Sequence, residues 1–202
     1  MQLPTAVKTL AFVLFLSLYS LNLCAETSAD LEKAGSAGPA QEAYTKAQAA
    51  WEKGEWETGL SQCDEALKID RRNKEAWLLK GQIAWQMKDY KTALSSFEEY
   101  LRLDSKNTLV WLNRSQCLFE LERYKDMQES FDKAQSMDPQ YPPLYMNMAM
   151  DYLNMGNYED AHAAFRKLEE LGEKSMYLGW MKRMLQITSE SYAPPRDWSV
   201  NL

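Results

Sequence analysis

The chain has 202 residues, 46% of them hydrophobic, and its 23 basic and 29 acidic residues give a formal net charge of −6 at pH 7. This length predicts one modest domain with appendages, and the acidic balance without clustered Lys and Arg disfavours nucleic acid and anionic membrane surfaces as partners. The chain contains one histidine, His162, which argues against histidine-based catalysis and histidine-rich metal sites.

The first 25 residues have the pattern of a secretory signal peptide. Lys8 precedes an apolar stretch over residues 10–23, which is shorter than the roughly 20 residues that a membrane-spanning helix needs and fits a signal-peptide core. We predict cleavage after Ala25. Two alternatives stay open: lipidation of Cys24, which gives a membrane-anchored lipoprotein scaffold, and an uncleaved anchor. All three predict an extracytoplasmic protein, either periplasmic or secreted.

Residues 26–39 are small and polar, and they predict a flexible linker. From residue 40 the hydrophobic positions follow helical spacing in short segments that are separated by turns. Gly54 and Gly156 mark two of these turns.

Residues 74–107 contain the clearest unit of this pattern. Trp77 is followed four positions later by Gly81, and Ala93 and Phe97 are also four apart, which predicts two short antiparallel helices. The same positions recur at intervals of 34 residues. Trp77 is matched by Trp111 and Tyr145, Gly81 by Ala47, Ser115 and Ala149, Tyr90 by Trp56, Tyr124 and Tyr158, and Phe97 by Cys63, Phe131 and Phe165.

This period and these residues resemble the tetratricopeptide repeat, whose pattern has a Trp, a Gly four positions on, and an Ala and a Phe four apart. The resemblance implies an all-α protein, a right-handed α-solenoid of four helix pairs over residues 40–172. The repeats are 40–73, 74–107, 108–141 and 142–172. Repeat one departs from the pattern, since Ala43 stands where Trp is usual. Lys46, Lys80 and Arg114 stand where Leu is usual, and we expect buried stems with solvated charged ends.

Residues 173–189 predict an amphipathic capping helix, and residues 190–202 predict an irregular tail because Pro194 and Pro195 exclude a helix there. The apolar stripe of the capping segment consists of Met176, Tyr177, Trp180, Met181, Met184 and Leu185. A stack of repeats needs such a helix to cover its open apolar edge. The alternative is that this helix pairs with its copy and forms a structural homodimer.

In the tetratricopeptide family, ligands usually contact the first helix of each pair on the concave side of the stack. Carried over by position, the resemblance implies a peptide groove whose residues form three ladders. The apolar ladder is Tyr44, Leu78, Leu112 and Met146, with Met150 beside it; the amide ladder is Gln48, Gln82 and Gln116; the third, aromatic then aliphatic, is Trp51, Trp85, Phe119 and Leu153. We call these twelve residues the groove face.

Aromatic ladders exposed on a monomer favour a partner-binding surface, and rings combined with amides suit an apolar or amphipathic peptide. The predicted function is a non-enzymatic scaffold that binds another protein, as an adaptor or assembly factor of the cell envelope. The alternative is that some of these aromatics pack between helices or are covered by the chain's own tail. The groove face lacks the Lys, Asn and Arg that clamp a C-terminal carboxylate, so a chaperone's acidic C-terminus is not an expected ligand.

The sequence shows no catalytic constellation and no Gly-rich phosphate loop, so we predict no enzyme activity, no cofactor, no metal and no small-molecule substrate. Cys63 and Cys117 fall on different repeats, and the stacking should separate them beyond the roughly 7 Å limit on the Cα distance of a disulfide. Both are predicted to be buried thiols.

Overall fold

The computed structural model describes residues 38–172, all of which belong to one compact unit. The helices in this range are α1 (Pro39–Lys53), α2 (Trp56–Ile69), α3 (Lys74–Gln86), α4 (Tyr90–Leu103), α5 (Thr108–Glu120), α6 (Tyr124–Met137), α7 (Pro142–Met155) and α8 (Tyr158–Glu170). None of these described helices has the length and apolar character needed to cross a membrane. The predicted signal peptide, capping helix and tail, and nearly all of the linker, lie outside the described residues.

Each helix packs mainly against its neighbours along the chain. The helices pair as α1 with α2, α3 with α4, α5 with α6 and α7 with α8, and each second helix also contacts the first helix of the next pair. Further contacts between α1 and α3, and between α5 and α7, bring first helices side by side. This arrangement is an α-solenoid, and it confirms the predicted all-α fold of stacked helix pairs.

The turn inside each helix pair has the same backbone geometry. Gly54, Lys88, Glu122 and Gly156 are spaced by 34 residues, and all four have φ between 57° and 77°. The amide of the following residue donates to a carbonyl five residues back in every case, which closes the first helix with a left-handed cap. Glycine suits this conformation, whereas the Cβ of Lys88 and Glu122 crowds the backbone there.

Lys88→Gly is expected to stabilise the fold by about 0.5–1 kcal/mol, because glycine adopts a positive φ without the steric cost of a side chain. Urea unfolding of the two proteins measures the difference. Lys91→Gly is the matched control, since Lys91 is also an exposed lysine but lies in the first turn of α4, where the backbone is helical and glycine brings no such gain. A lower stability of Lys88→Gly would contradict this explanation of the turn.

The turns between helix pairs are held by side chains that also recur every 34 residues. The carboxylates of Asp70, Asp104 and Asp138 each accept a hydrogen bond from the amide two residues ahead, at 2.9–3.1 Å. Asn73 and Asn107 then cap α3 and α5 by accepting from the amide three residues on, as residues at this position commonly do. The polar residues of the pattern therefore end one helix and start the next.

The aromatic residue near the start of α3, α5 and α7 stabilises the same junction. The indole N–H groups of Trp77 and Trp111 donate to carbonyls six residues back, at 3.0 and 2.9 Å. The hydroxyl of Tyr145 donates to the equivalent carbonyl at 2.7 Å. A Tyr can therefore replace the Trp of the pattern, because both side chains extend a polar hydrogen to the preceding turn.

A close approach of the two helices explains the small residues of the pattern. A Cβ built on Gly81 would lie 2.5 Å from the ring of Phe97, and that ring is 1% exposed. Cys63 occupies the place of Phe97 in the first pair. Cys63 and Cys117 are both buried and unpaired, as predicted.

The charged ends of Lys80 and Arg114 are paired, which corrects the expectation that they are solvated. Lys80 forms an ion pair with Asp64, and Arg114 forms one with Glu98. Each cation also lies over the ring of the Trp three residues earlier, at 5.5 and 5.7 Å from the centroid, a favourable cation–π geometry. Both pairs join a first helix to the second helix of the preceding repeat, so they stabilise the stack.

Candidate functional site

The groove face lies on the first helices and is only partly exposed. Nine of its twelve residues are half-buried, whereas Trp85, Leu112 and Leu153 are buried, at 9%, 1% and 4% exposure. These three side chains fill the space between helices, because a stack of helix pairs needs large apolar residues there. They are therefore core residues, whereas the sequence predicted that they would be exposed on the groove face.

The aromatic ladder packs inside the helix pairs. Trp51, Trp85 and Phe119 each face the aromatic residue that begins the second helix of the same pair, with ring centroids 5.2, 5.0 and 6.1 Å apart. Inclined ring pairs at these distances are mutually attractive. The structure therefore supports the alternative that the sequence left open, in which these rings pack between helices.

The amide ladder has side chains that remain available for binding. Gln48, Gln82 and Gln116 are half-buried, and within residues 38–172 their side chains make no hydrogen bond. Each amide can donate two hydrogen bonds and accept others. Because the three residues are one repeat apart on neighbouring first helices, they present a row of unused donors and acceptors.

Tyr44 lies at the repeat-one end of the groove face and is held by the core. It packs against two clusters of buried core residues, one containing Ala43 and the other Leu79. Burial raises the pKa of Tyr44 to about 12, and the nearby Glu75 adds to the rise. The phenol is therefore neutral at physiological pH, and its hydroxyl can donate a hydrogen bond.

Acidic side chains flank the groove face on three of the first helices. Its twelve residues include no Lys or Arg, and Glu52, Glu75 and Glu120 flank it on α1, α3 and α5. Half-buried Glu120 lies close to the hydroxyl of Tyr90. Burial raises the pKa of Glu120, although this hydroxyl and the charge of Lys88 oppose the rise.

Two polar residues of α7 are additional candidates that sequence reasoning missed. Asn147 and Asp151 are 3% and 4% exposed, and Asn147 Nδ2 and Asp151 Oδ2 have no hydrogen-bond partner in the described structure. Burial, and then the charge of Glu120, raise the pKa of Asp151 well above its usual value. The 34-residue period carries the missed signal, since Asp151 stands in register with Ile83 and Cys117, which are fully buried.

The two cysteines are not reactive groups. Burial raises the pKa of Cys63 to about 12, and it also raises that of Cys117. Both thiols therefore stay protonated at physiological pH, and a protonated thiol is a poor nucleophile and metal ligand. Over the described range 38–172, no three His, Cys, Asp or Glu side chains converge in a way that could hold a metal ion.

Comparison with known proteins identifies the repeat. Models of the tetratricopeptide repeat match residues 44–108, 109–141 and 142–173, well over half of the chain. The chain belongs to the tetratricopeptide repeat family. Repeats of this family generally form non-enzymatic scaffolds for protein–protein interaction, so this tetratricopeptide repeat protein is an interaction scaffold whose partner is another protein.

Solved structures share the fold of this tetratricopeptide repeat protein. MamA from Desulfovibrio magneticus has a TM-score of 0.64 and 18% identity, with 77% of this chain and 92% of that chain covered. A second MamA structure has a TM-score of 0.62 and 13% identity, covering 66% and 78%. A tetratricopeptide repeat protein from Parabacteroides merdae has a TM-score of 0.67 and 19% identity, covering 75% and 60%. Identities this low show the fold alone. No curated protein sequence matches the chain significantly.

Proposed function

We propose that this scaffold binds an apolar or amphipathic segment of a partner protein along its first helices and catalyses no reaction. The amide ladder is the observation that supports this proposal most directly. Its three unused amides can exchange hydrogen bonds with the backbone of an extended segment. The half-buried side chains of Leu78, Met146 and Met150 supply apolar contact area around them, and methionine adapts to varied partners.

The scaffold offers this surface without first having to order itself. Left-handed caps inside the pairs, Asp and Asn bonds between the pairs, and the ion pairs of Lys80 and Arg114 hold the first helices in place. A binding surface that is rigid beforehand loses little conformational entropy when its partner arrives. Affinity can therefore come from a modest number of contacts.

We place the protein in the cell envelope as an adaptor or assembly factor. The signal-peptide pattern of residues 1–25 supports this location, with lipidation of Cys24 as the alternative route of retention. N-terminal sequencing and mass measurement of the protein from an envelope fraction test it. A chain that starts at residue 26 supports cleavage, a lipid-bearing Cys24 supports anchoring, and an unprocessed chain in the cytosol contradicts the proposed location.

The triple variant Gln48→Ala, Gln82→Ala and Gln116→Ala is expected to weaken partner binding at least about tenfold. Each substitution removes a neutral hydrogen bond to the partner, and the three losses together exceed the free energy of a tenfold change in affinity. The full chain is immobilised, its partner is captured from an envelope extract and identified by mass spectrometry, and the purified partner is then titrated against both proteins.

The matched control replaces three exposed residues on the second helices that have the same 34-residue spacing: Ser61→Ala, Ser95→Ala and Glu129→Ala. This control should bind as the unmodified protein does. Equal weakening by both triple variants, or by neither, would remove the support for binding on the first helices. Trp85→Ala is unsuitable for this test, because buried Trp85 packs against Tyr90 and its loss disturbs the fold.

A further inference from the structure

The fourth repeat buries two polar side chains one turn apart on α7. Asp151 stands where α3 has Ile83 and α5 has Cys117, which are fully buried, whereas Asn147 stands where α3 has buried Leu79 and α5 has half-buried Asn113. An apolar residue at these positions would contribute to the stack, whereas an unsatisfied polar group in a buried place lowers stability. Positions where a sequence departs from its own local pattern at a cost in stability are frequently functional.

Asp151 is near a third polar group across the boundary between repeats three and four. Helix α5 packs beside α7, and Glu120 at the end of α5 is near enough for its charge to act on Asp151. The hydroxyl of Tyr90 on α4 also lies close to Glu120. The site therefore holds two carboxyl groups and one amide, and Asp151 Oδ2 and Asn147 Nδ2 still lack partners within the described residues.

The other titratable groups around this site do not satisfy Asp151. Cys117 on α5 is protonated because burial raises its pKa, and Tyr152 on α7 directs its hydroxyl to Gln128. Lys88, in the turn after α3, acts on Glu120 but is itself exposed, where water and salt weaken its attraction. Two acidic groups therefore remain without a buried cation.

We propose that Glu120, Asp151 and Asn147 form a receptor for one arginine or lysine side chain of the segment that binds along the first helices. The proposal rests on the proposed function and names the chemistry of its partner. The bound cation favours the charged form of Asp151, which then releases its proton to water. The cation is held by the carboxylates of Glu120 and Asp151, because charge-assisted hydrogen bonds are the strongest kind available. Asn147 Nδ2 donates to a backbone carbonyl of the same segment, so both unpartnered atoms are satisfied.

The surrounding surface is complementary to such a segment. Glu120 is half-buried and Asp151 is 4% exposed, so a long and flexible side chain is needed to reach both. Helix α7 contains no Lys or Arg. Near Asp151 a basic residue is therefore attracted and an acidic one repelled.

Selection of a random peptide library displayed on phage, with the full chain immobilised, tests the proposal. The unmodified protein should enrich apolar peptides that carry Arg or Lys at one fixed position. One selected arginine peptide is also synthesised with neutral citrulline in place of that arginine. This change should lower its affinity for the protein about tenfold to hundredfold. The double variant Glu120→Gln and Asp151→Asn should bind the two peptides equally.

The matched control is Glu75→Gln, which removes the same charge from the flank of the groove face but away from this site. It should retain the preference for the arginine peptide over the citrulline peptide. Thermal unfolding of all variants checks that they fold, and we expect the double variant to melt at or above the temperature of the unmodified protein.

The possible outcomes separate this proposal from the proposed function. Enriched peptides without a fixed basic residue, or an arginine preference that survives in the double variant, overturn the receptor and leave binding along the first helices intact. Loss of the preference in Glu75→Gln as well would show a general charge effect and overturn the receptor. Enrichment of no peptide by the unmodified protein counts against the proposed function itself, and the receptor falls with it.

Discussion

Phe131→Ala is expected to lower the free energy of unfolding by about 3–5 kcal/mol, the range for removing a buried ring from a core. Phe131 lies on α6 and is fully buried. Its ring centroid is 6.3 Å from that of Tyr152 on α7, so the side chain supports its own helix pair and also the next one. Urea unfolding followed by circular dichroism measures the loss.

Tyr124→Ala provides the comparison within the same helix. Tyr124 is also an aromatic residue of α6, but it is 40% exposed, and its ring centroid lies 6.1 Å from that of Phe119. We expect a loss of about 1 kcal/mol, because an exposed ring pair contributes little beyond its limited burial. Equal stability of the two variants would contradict a role for Phe131 in joining repeats three and four.

Asp151→Ile is expected to raise the free energy of unfolding at pH 7 by about 1–3 kcal/mol, since it removes an unsatisfied buried polar group and restores the residue that α3 has in register. Burial, assisted by the charge of Glu120, raises the pKa of Asp151 in the folded protein. Between the unfolded pKa, about 4, and the folded value, the folded state holds a proton that the unfolded chain has released. The unmodified protein therefore loses stability relative to the variant as the pH rises through this window.

The measurement is the difference in stability between the two proteins at several pH values, because the other acidic groups titrate in both and cancel. This difference should be smallest below about pH 4, where the carboxyl group is neutral in both states. Glu129→Gln, which alters an exposed carboxyl group of α6, should show no such trend. A difference that is independent of pH would contradict the buried and unpaired state of Asp151.

The fold could be predicted from the sequence because several independent positions keep one period. Trp77, Gly81 and Phe97 determine how two helices pack, and Asp104 and Asn107 determine where one pair ends and the next begins. These functions are local, so residue type and spacing suffice to predict them. Helices α3, α5 and α7 accordingly begin at the first residue of predicted repeats two, three and four.

The candidate site was less predictable, because exposure depends on contacts between repeats. The repeat register alone places Trp51, Trp85 and Phe119 on the first helices. It does not show that each ring packs against the aromatic residue that begins the following helix. The ion pair of Arg114 with Glu98 joins residues 16 apart on different helices. Asp151 is distinctive only when the residues at one position are compared across repeats.

The neighbour-to-neighbour packing of α1 to α8 also has a consequence for how such a protein can evolve. Since helices contact almost only those next to them along the chain, duplication or deletion of one 34-residue unit creates no new kind of interface. The number of groove-face glutamines that can bind a partner can therefore increase or decrease by one with each repeat gained or lost. A single unit can meanwhile acquire its own chemistry, as the fourth has with the buried acid Asp151, while its neighbours keep their original packing.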